Sequence, residues 1–374
     1  MITFLTYTVV ILGIIALVRL ASVYQKSREL RGLRDEDISA KDNKLNAFLF
    51  LVFMIGLYGG YIYLINEYSD SLLPKAASAH GYQEDSMLTI DGLMHANLIV
   101  VNIIFVIINT LLFLFAFKYV REKREKADYF PHNNKLEVFW TVIPSIFLAF
   151  IIIFGLTIWN DVMDTDKEYL NATGEVEEPV LIELYARQFD WHARYAGNDG
   201  ALGTANVRLI GGTNQIGIDE EDPMSKDDKI VRGEFHIPVG RPVKFKIRSQ
   251  DVIHSAYMPH FRAQINAVPG METFFAFTPT ITTAEMRTDP QVIRKFEKIN
   301  RIRLEKGEDP VEFDYVLLCN KICGASHYNM QMKIVVDTPE DYQKWLSEKK
   351  TFAESTGSAQ SSNNDKTELA EKSK

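Results

Sequence analysis

The chain has 374 residues, with 41 Lys and Arg against 49 Asp and Glu and a formal net charge of −8. That acidic balance excludes the basic face a nucleic-acid partner requires. Two cysteines, Cys319 and Cys323, exclude a multi-bridge disulfide framework. The average composition, 47% hydrophobic and 24% charged, is that of a soluble protein, but the long apolar runs lie before residue 160 and most of the acid lies after it. A membrane half joined to a water-soluble half is the expectation.

Four apolar stretches, residues 2–20, 46–65, 96–117 and 138–158, each approach the ~20 residues a helix needs to cross ~30 Å of hydrocarbon. The first has no Lys or Arg at its start, and the Leu-Ala-Ser-Val at 20–23 is a poor cleavage site, so it reads as a retained helix. The run 98–108 has no polar face, which disfavours a buried helix of a soluble protein. Lys and Arg fill the first loop, from Arg19 to Lys44, and the third, from Lys118 to Lys135, whereas the second carries Lys75 alone. Such an excess marks cytoplasmic loops. It predicts a multi-pass chain with its N-terminus and everything after Trp159 on the outer side. Asn102 and Asn109 in the third helix predict contacts with other helices.

From Pro179 the pattern turns to short β-rich runs at 180–185, 188–195, 230–237, 242–247, 274–277, 315–318 and 332–336, separated by turn residues such as Gly240 and Pro269-Gly270. The spacing predicts an all-β sandwich or barrel over residues 176–350. Residues 214–228 read as an acidic surface loop, and 289–309 as a charged, helix-prone insertion. Thr338-Pro339-Glu340-Asp341 opens a helix that runs to about 349. The tail, 351–374, has almost no large apolar residue and reads as disordered.

Cys319, Cys323, His327 and Met330 fall within twelve residues, and His254 lies upstream. Thiolate, thioether and imidazole form a soft ligand set that suits copper better than magnesium or calcium. Zinc remains open, because the cysteine spacing allows it with His254 and His327, although Met330 then has no part. A Cys319–Cys323 disulfide also remains open in an outer compartment, but leaves His327 and Met330 unexplained.

Three ordered blocks carry a resemblance. Cys319, Cys323, His327 and Met330 match the pattern C-x-E-x-C-x-x-x-H-x-x-M. Asp251-Val252-Ile253-His254-Ser255 with Ala267-Val268-Pro269-Gly270 matches a second block, and Glu137-Val138-Phe139-Trp140-Thr141-Val142-Ile143-Pro144 a third. Over roughly residues 135–346 the chain resembles subunit II of the haem-copper cytochrome c oxidases, the subunit with the binuclear copper A centre. The usual subunit has a two-helix hairpin, so the first two helices lie outside the resemblance. It implies transmembrane α-helices followed by a cupredoxin-like β domain. Cys319 and Cys323 would bridge both coppers. His254 and His327 would each bind one copper, with Met330 a weak ligand and the Lys321 backbone carbonyl completing the set.

The resemblance further implies an electron-accepting subunit of a bacterial inner-membrane terminal oxidase. Its donor would be cytochrome c or a haem c domain, and its acceptor the haem and copper of subunit I. No C-x-x-C-H attachment site for a c-type haem occurs in this chain. An intact ligand set opposes a copper-free quinol-oxidase subunit, and the helices oppose a nitrous oxide reductase. Lys321 stands where the family has a Glu that helps bind magnesium, and Asn266 replaces a nearby Asp, which puts a magnesium site in doubt. Phe189 occupies the position of the Trp at which the family takes up electrons, and Trp191 matches a second Trp; either can equally be core. Glu137 matches a proton-path entrance, and is equally explained as a carboxylate favoured at a helix start. His80, His95, His132, His192, His236 and His260 show no ligand spacing and read as surface or satisfied core.

Overall fold

The computed structural model describes residues 2–32, 35–69, 73–78, 89–120, 128–129, 131–165, 168–169 and 175–356. The chain divides into two compact units, Met1–Ser69 with Asn97–Ile146, and Asp70–Ala96 with Phe147–Lys374.

Four helices make up the N-terminal region: α1 (Ile2–Leu30), α2 (Asp35–Glu67), α3 (Ile90–Lys118) and α4 (Asn134–Met163). Each is longer than its apolar stretch, because the charged flanks, rich in good helix formers, continue the helix. Among the described residues, three spans are long and apolar enough to cross a membrane: Ala40–Glu67, Ile90–Lys118 and Asn134–Met163. In the first unit α2 packs on α3. The Tyr58 hydroxyl meets Thr110 Oγ1 at 2.7 Å and donates to the Val106 carbonyl at 3.0 Å. Tyr61 packs on Phe105 and Phe53 on Phe113. Asn102 and Asn109 donate to the carbonyls of Leu98 and Phe105 one turn back in α3, and among the described residues Tyr58 supplies the polar bond between α2 and α3.

The second unit is built on two β-sheets. The first has the order β1 (Ala77–Ser78), β9 (Thr273–Pro279), β6 (Val243–Ser249), β2 (Val180–Arg187), β3 (Asp190–Tyr195) and β4 (Lys229–Arg232). The second runs β5 (Glu234–Pro238), β11 (Gln331–Asp337), β10 (Tyr315–Cys319), β7 (His254–Met258) and β8 (Ala263–Ala267). Neighbours are antiparallel except β2 with β6 and β5 with β11. Alternate residues of β6, β10 and β11 are buried, as a strand with one face on a core requires. The inner faces share one buried cluster, in which Phe235 of β5 meets Phe245 of β6 edge-on.

Several expectations change at element level. The run 230–237 is two strands in different sheets, parted at Gly233, whose φ of +80° is open to glycine. Gln188 and Phe189 are not strand; they form the tight turn between β2 and β3. Residues 214–228 are not merely a surface loop, since Ile216 and Ile218 are buried against Tyr185. Thr282 caps the short α5 (Thr283–Met286), Asp289 caps α6 (Pro290–Glu305), the expected insertion, and Thr338 caps α7 (Pro339–Ser347). The start of the expected tail is packed: Thr351 bridges to Lys229, and Phe352, in α8 (Phe352–Thr356), is buried on the Ile216 cluster. The rest of that tail lies outside the described residues.

Candidate metal centre

The site forms where two neighbouring strands end. β10 and β7 pair with Cys319 opposite Ala256, which sets Cys319, the last residue of β10, beside His254, the first of β7. The loop from β10 to β11 carries Cys323, His327 and Met330. It is closed at its neck by the Cys319 amide donating to the Met330 carbonyl at 3.0 Å, and tied to β7 by the Asn320 amide donating to the Ser255 carbonyl at 3.0 Å. The segment between the metal-type side chains is therefore a hairpin connection with fixed ends.

Within that frame the sulfurs of Cys319 and Cys323 stand 3.9 Å apart, and both thiols are free and buried. A disulfide needs about 2.05 Å, so this arrangement is a pair of thiols. Cys319 Sγ lies 3.7 Å from His254 Nδ1 and Cys323 Sγ lies 3.6 Å from His327 Nδ1, which gives each sulfur an imidazole nitrogen. Met330 Sδ is 3.8 Å from Cys323 Sγ, and the Lys321 carbonyl is 3.2 Å from Cys319 Sγ while the Lys321 side chain points to solvent. Donor atoms of His254, Cys319 and Cys323 all lie within 4.8 Å of one another. These residues fit a soft metal. Two sulfurs, two imidazole nitrogens, a thioether and a carbonyl converge with no carboxylate among them. Zinc would use the Cys and His donors but gives the inward Met330 thioether no task.

Charge in the site is arranged around His254. Its Nε2 faces Asp251 Oδ1 at 2.8 Å, leaving Nδ1 toward the sulfurs, the pairing by which a carboxylate fixes the orientation of a metal-binding imidazole. Burial raises the Asp251 pKa, but hydrogen bonds from His254 and from the Gln188 and Val252 amides outweigh it and hold the carboxyl below its ordinary range. Burial, and then the neighbouring Cys319, pushes the Cys323 thiol up to about 11. The thiol is therefore protonated near neutrality, and a metal bound there would release its proton.

Trp191 is fully buried and meets His254 edge-on at 6.2 Å. Phe189 is half-buried, and its ring packs on Gly324 of the ligand loop. Gly324 has φ +147°, and a Cβ there would stand 2.8 Å from Phe189 Cζ and 2.9 Å from Gln188 Nε2, so only glycine fits. Glu137 lies in the first turn of α4, where its Oε1 accepts the Asn133 amide at 3.3 Å, a helix-start contact. His192, His236 and His260 are buried away from the ligand set; His80 lies outside the described residues. Sequence reading overlooked Asp251 as a partner of His254 and Gln188 altogether. The only sequence signal for Asp251 was its place three residues before a candidate ligand.

The family model described as the cytochrome c oxidase subunit II transmembrane domain matches residues 67–158. The chain is 33% identical over 242 residues, 64% of its length and 73% of the relative's, to an alternative cytochrome c oxidase subunit 2 of Bradyrhizobium diazoefficiens. It is 25% identical to a cytochrome c oxidase subunit 2 of Thermostichus vulcanus, over 75% of this chain and 80% of that one. The periplasmic domain of a Bradyrhizobium japonicum oxidase subunit II aligns at 17% identity over 46% of this chain and 93% of that one, with a TM-score of 0.28, too low for the fold to rest on anything but the sheet order above. Apolar helices within the matched span and an identity of 33% to a relative matched over most of its length agree on one assignment: this chain belongs to the cytochrome c oxidase subunit II family, whose members are subunits of an oxidoreductase complex.

Proposed function

We propose that this chain is the electron-accepting subunit of a respiratory terminal oxidase, that its β domain is cupredoxin-like, and that the domain holds a binuclear copper A centre. The observation that carries the reading is the pair of free thiols 3.9 Å apart, each faced by an imidazole Nδ1. Cys319 and Cys323 through their thiolates, His254 and His327 through their imidazoles, Met330 through its thioether and Lys321 through its backbone carbonyl would hold the copper pair. Bound there, the pair would supply one-electron uptake and release between cytochrome c, or a haem c domain, and the haem and copper of subunit I, where oxygen reduction is coupled to proton translocation.

The protein's part is to hold that set still. The closed neck at Cys319 and Met330 fixes the loop ends, Asp251 orients His254, and Trp191 packs on the His254 ring and keeps water from it. Little rearrangement on electron uptake is the condition for fast transfer. Phe189, half-buried on the ligand loop, is the proposed point of electron uptake; Trp191, with no exposed surface, supports His254. A proton-path role for Glu137 rests on the resemblance alone. Loop charges favour four membrane crossings, α1 included, in a bacterial inner membrane, with the N-terminus and the β domain on the periplasmic side.

Copper content and electron paramagnetic resonance of the full chain in detergent test the reading. Two coppers per chain and a signal of one unpaired electron shared between them are expected, and Cys323→Ser should abolish that signal. One copper with a single-centre signal in the unaltered chain would overturn the ligand assignment.

A further inference from the structure

Gln188 joins two parts of the site that the backbone leaves separate. Its side-chain Nε2 donates to the Cys323 carbonyl at 2.5 Å, and its backbone N–H donates to Asp251 Oδ2 at 2.7 Å. Asp251 in turn holds the His254 ring through its other oxygen at 2.8 Å. His254 opens β7, whereas Cys323 lies in the β10–β11 loop, beyond the hydrogen bonds that close the neck. The Gln188 Nε2 also lies against Gly324, at the one place in the loop where a side chain would not fit. The β2–β3 turn thus touches both a histidine ligand and a cysteine ligand through a single residue.

We propose that Gln188 is a positioning residue for the metal centre: it fixes the Cys323 carbonyl and, through Asp251, the His254 ring relative to one another. The inference rests on the copper reading above. Its physical basis is preorganisation. A loop free to move must be ordered when metal binds, and that entropy is lost from the affinity. Partners that orient ligands typically account for about 10–100-fold in metal affinity or activity. Gln188 is itself exposed, so replacing its side chain removes the bond to the Cys323 carbonyl without opening the core and leaves the backbone bond to Asp251 in place.

The test uses the full chain in detergent, as wild type, Gln188→Glu and Gln188→Ala. Glutamate keeps the shape but presents no amide donor to the Cys323 carbonyl. Copper affinity is read by competition with a copper chelator, the site geometry by the hyperfine pattern and the near-infrared band, and folding by melting of the metal-free chain. Both variants should bind copper at least about 10-fold more weakly, with an altered hyperfine pattern and an unchanged metal-free melting temperature. Wild-type affinity and spectrum in both variants overturn the proposal, as does weaker binding accompanied by an equal loss of metal-free stability and an unaltered spectrum. A wild-type chain that fails to take up two coppers overturns the copper reading itself, and this inference with it.

Discussion

At His260 burial and charge are in direct conflict. The ring stands edge-on to Phe313 and Tyr315, and its Nδ1 has no hydrogen-bond partner, so this histidine is core but not a satisfied one. Burial, and then the nearby Lys295 and Arg262, push the imidazole from 6.5 down to about 4. The sign follows from proton counting. Below about 6.5 the unfolded chain takes up a proton that the folded chain refuses until about 4, so stability falls as pH drops through that window. At 1.36 kcal/mol per pKa unit the full loss is roughly 3 kcal/mol. Replacing His260 with Leu should flatten the pH dependence of the melting temperature of the β domain between pH 7 and pH 4. The same acid loss in wild type and variant would show that other groups control it. Gly324 belongs to the same scale: its φ and its contact with Phe189 and Gln188 explain a glycine one residue after a cysteine ligand.

Among the elements, β1 shows how the connection between α2 and α3 contributes to the β domain. Two residues, Ala77 and Ser78, pair with Thr278 and Pro279 at the edge of β9, and the Ala76 amide donates to the His260 carbonyl. Arg262 clamps this segment. In a left-handed conformation at φ 54°, it donates to both oxygens of Asp91 at the start of α3, to the Leu73 carbonyl and to the Pro259 carbonyl. Hydrogen bonds to charged groups contribute about 1.5–3 kcal/mol each. Arg262→Ala should therefore raise hydrogen exchange at the amides of Ala76 and Thr280 by about 10-fold or more, while Phe245 and its neighbours in β6 stay protected. Unchanged exchange at those two amides would mean that strand pairing alone holds the segment. This edge strand had no signal in the sequence, because two residues carry no periodicity. The long helices were legible as unbroken apolar runs, and β6, β10 and β11 as short β-rich runs whose alternate residues are buried. The candidate ligand set was legible for another reason: Cys319, Cys323, His327 and Met330 share one loop. The part of Gln188 was not, because its contacts reach across 63 and 135 residues of chain, and Asp251 offered only its place three residues before His254. The packing of Ile216 and Ile218 hid within acidic neighbours, held by Asn214 bonded both ways to Ile218.

For the whole molecule, membership of the oxidase subunit II family means that a residue of the candidate metal loop is read in the assembled complex. Near that loop the chain presents the exposed side chains of Lys321 and Asn266, with Ile322 also turned to solvent. Magnesium and its stand-in manganese need carboxylate or carbonyl oxygens, and an ammonium group repels both. Because the Lys321 carbonyl faces Cys319 Sγ while its side chain lies in solvent, the side chain is free to change without touching the proposed copper ligands. Lys321→Ala should keep two coppers and most of the electron-transfer rate. Lys321→Glu should add a carboxylate at the loop and, in the assembled complex, create or tighten a manganese site readable as an ordered six-line resonance spectrum. The comparison that decides is the unaltered complex. Tight manganese binding there, with Lys321 and Asn266 in place, would mean that other subunits supply the cation's ligands and that the lysine has no bearing on it. Weak binding in the unaltered complex and tight binding in Lys321→Glu would assign the difference to this one side chain.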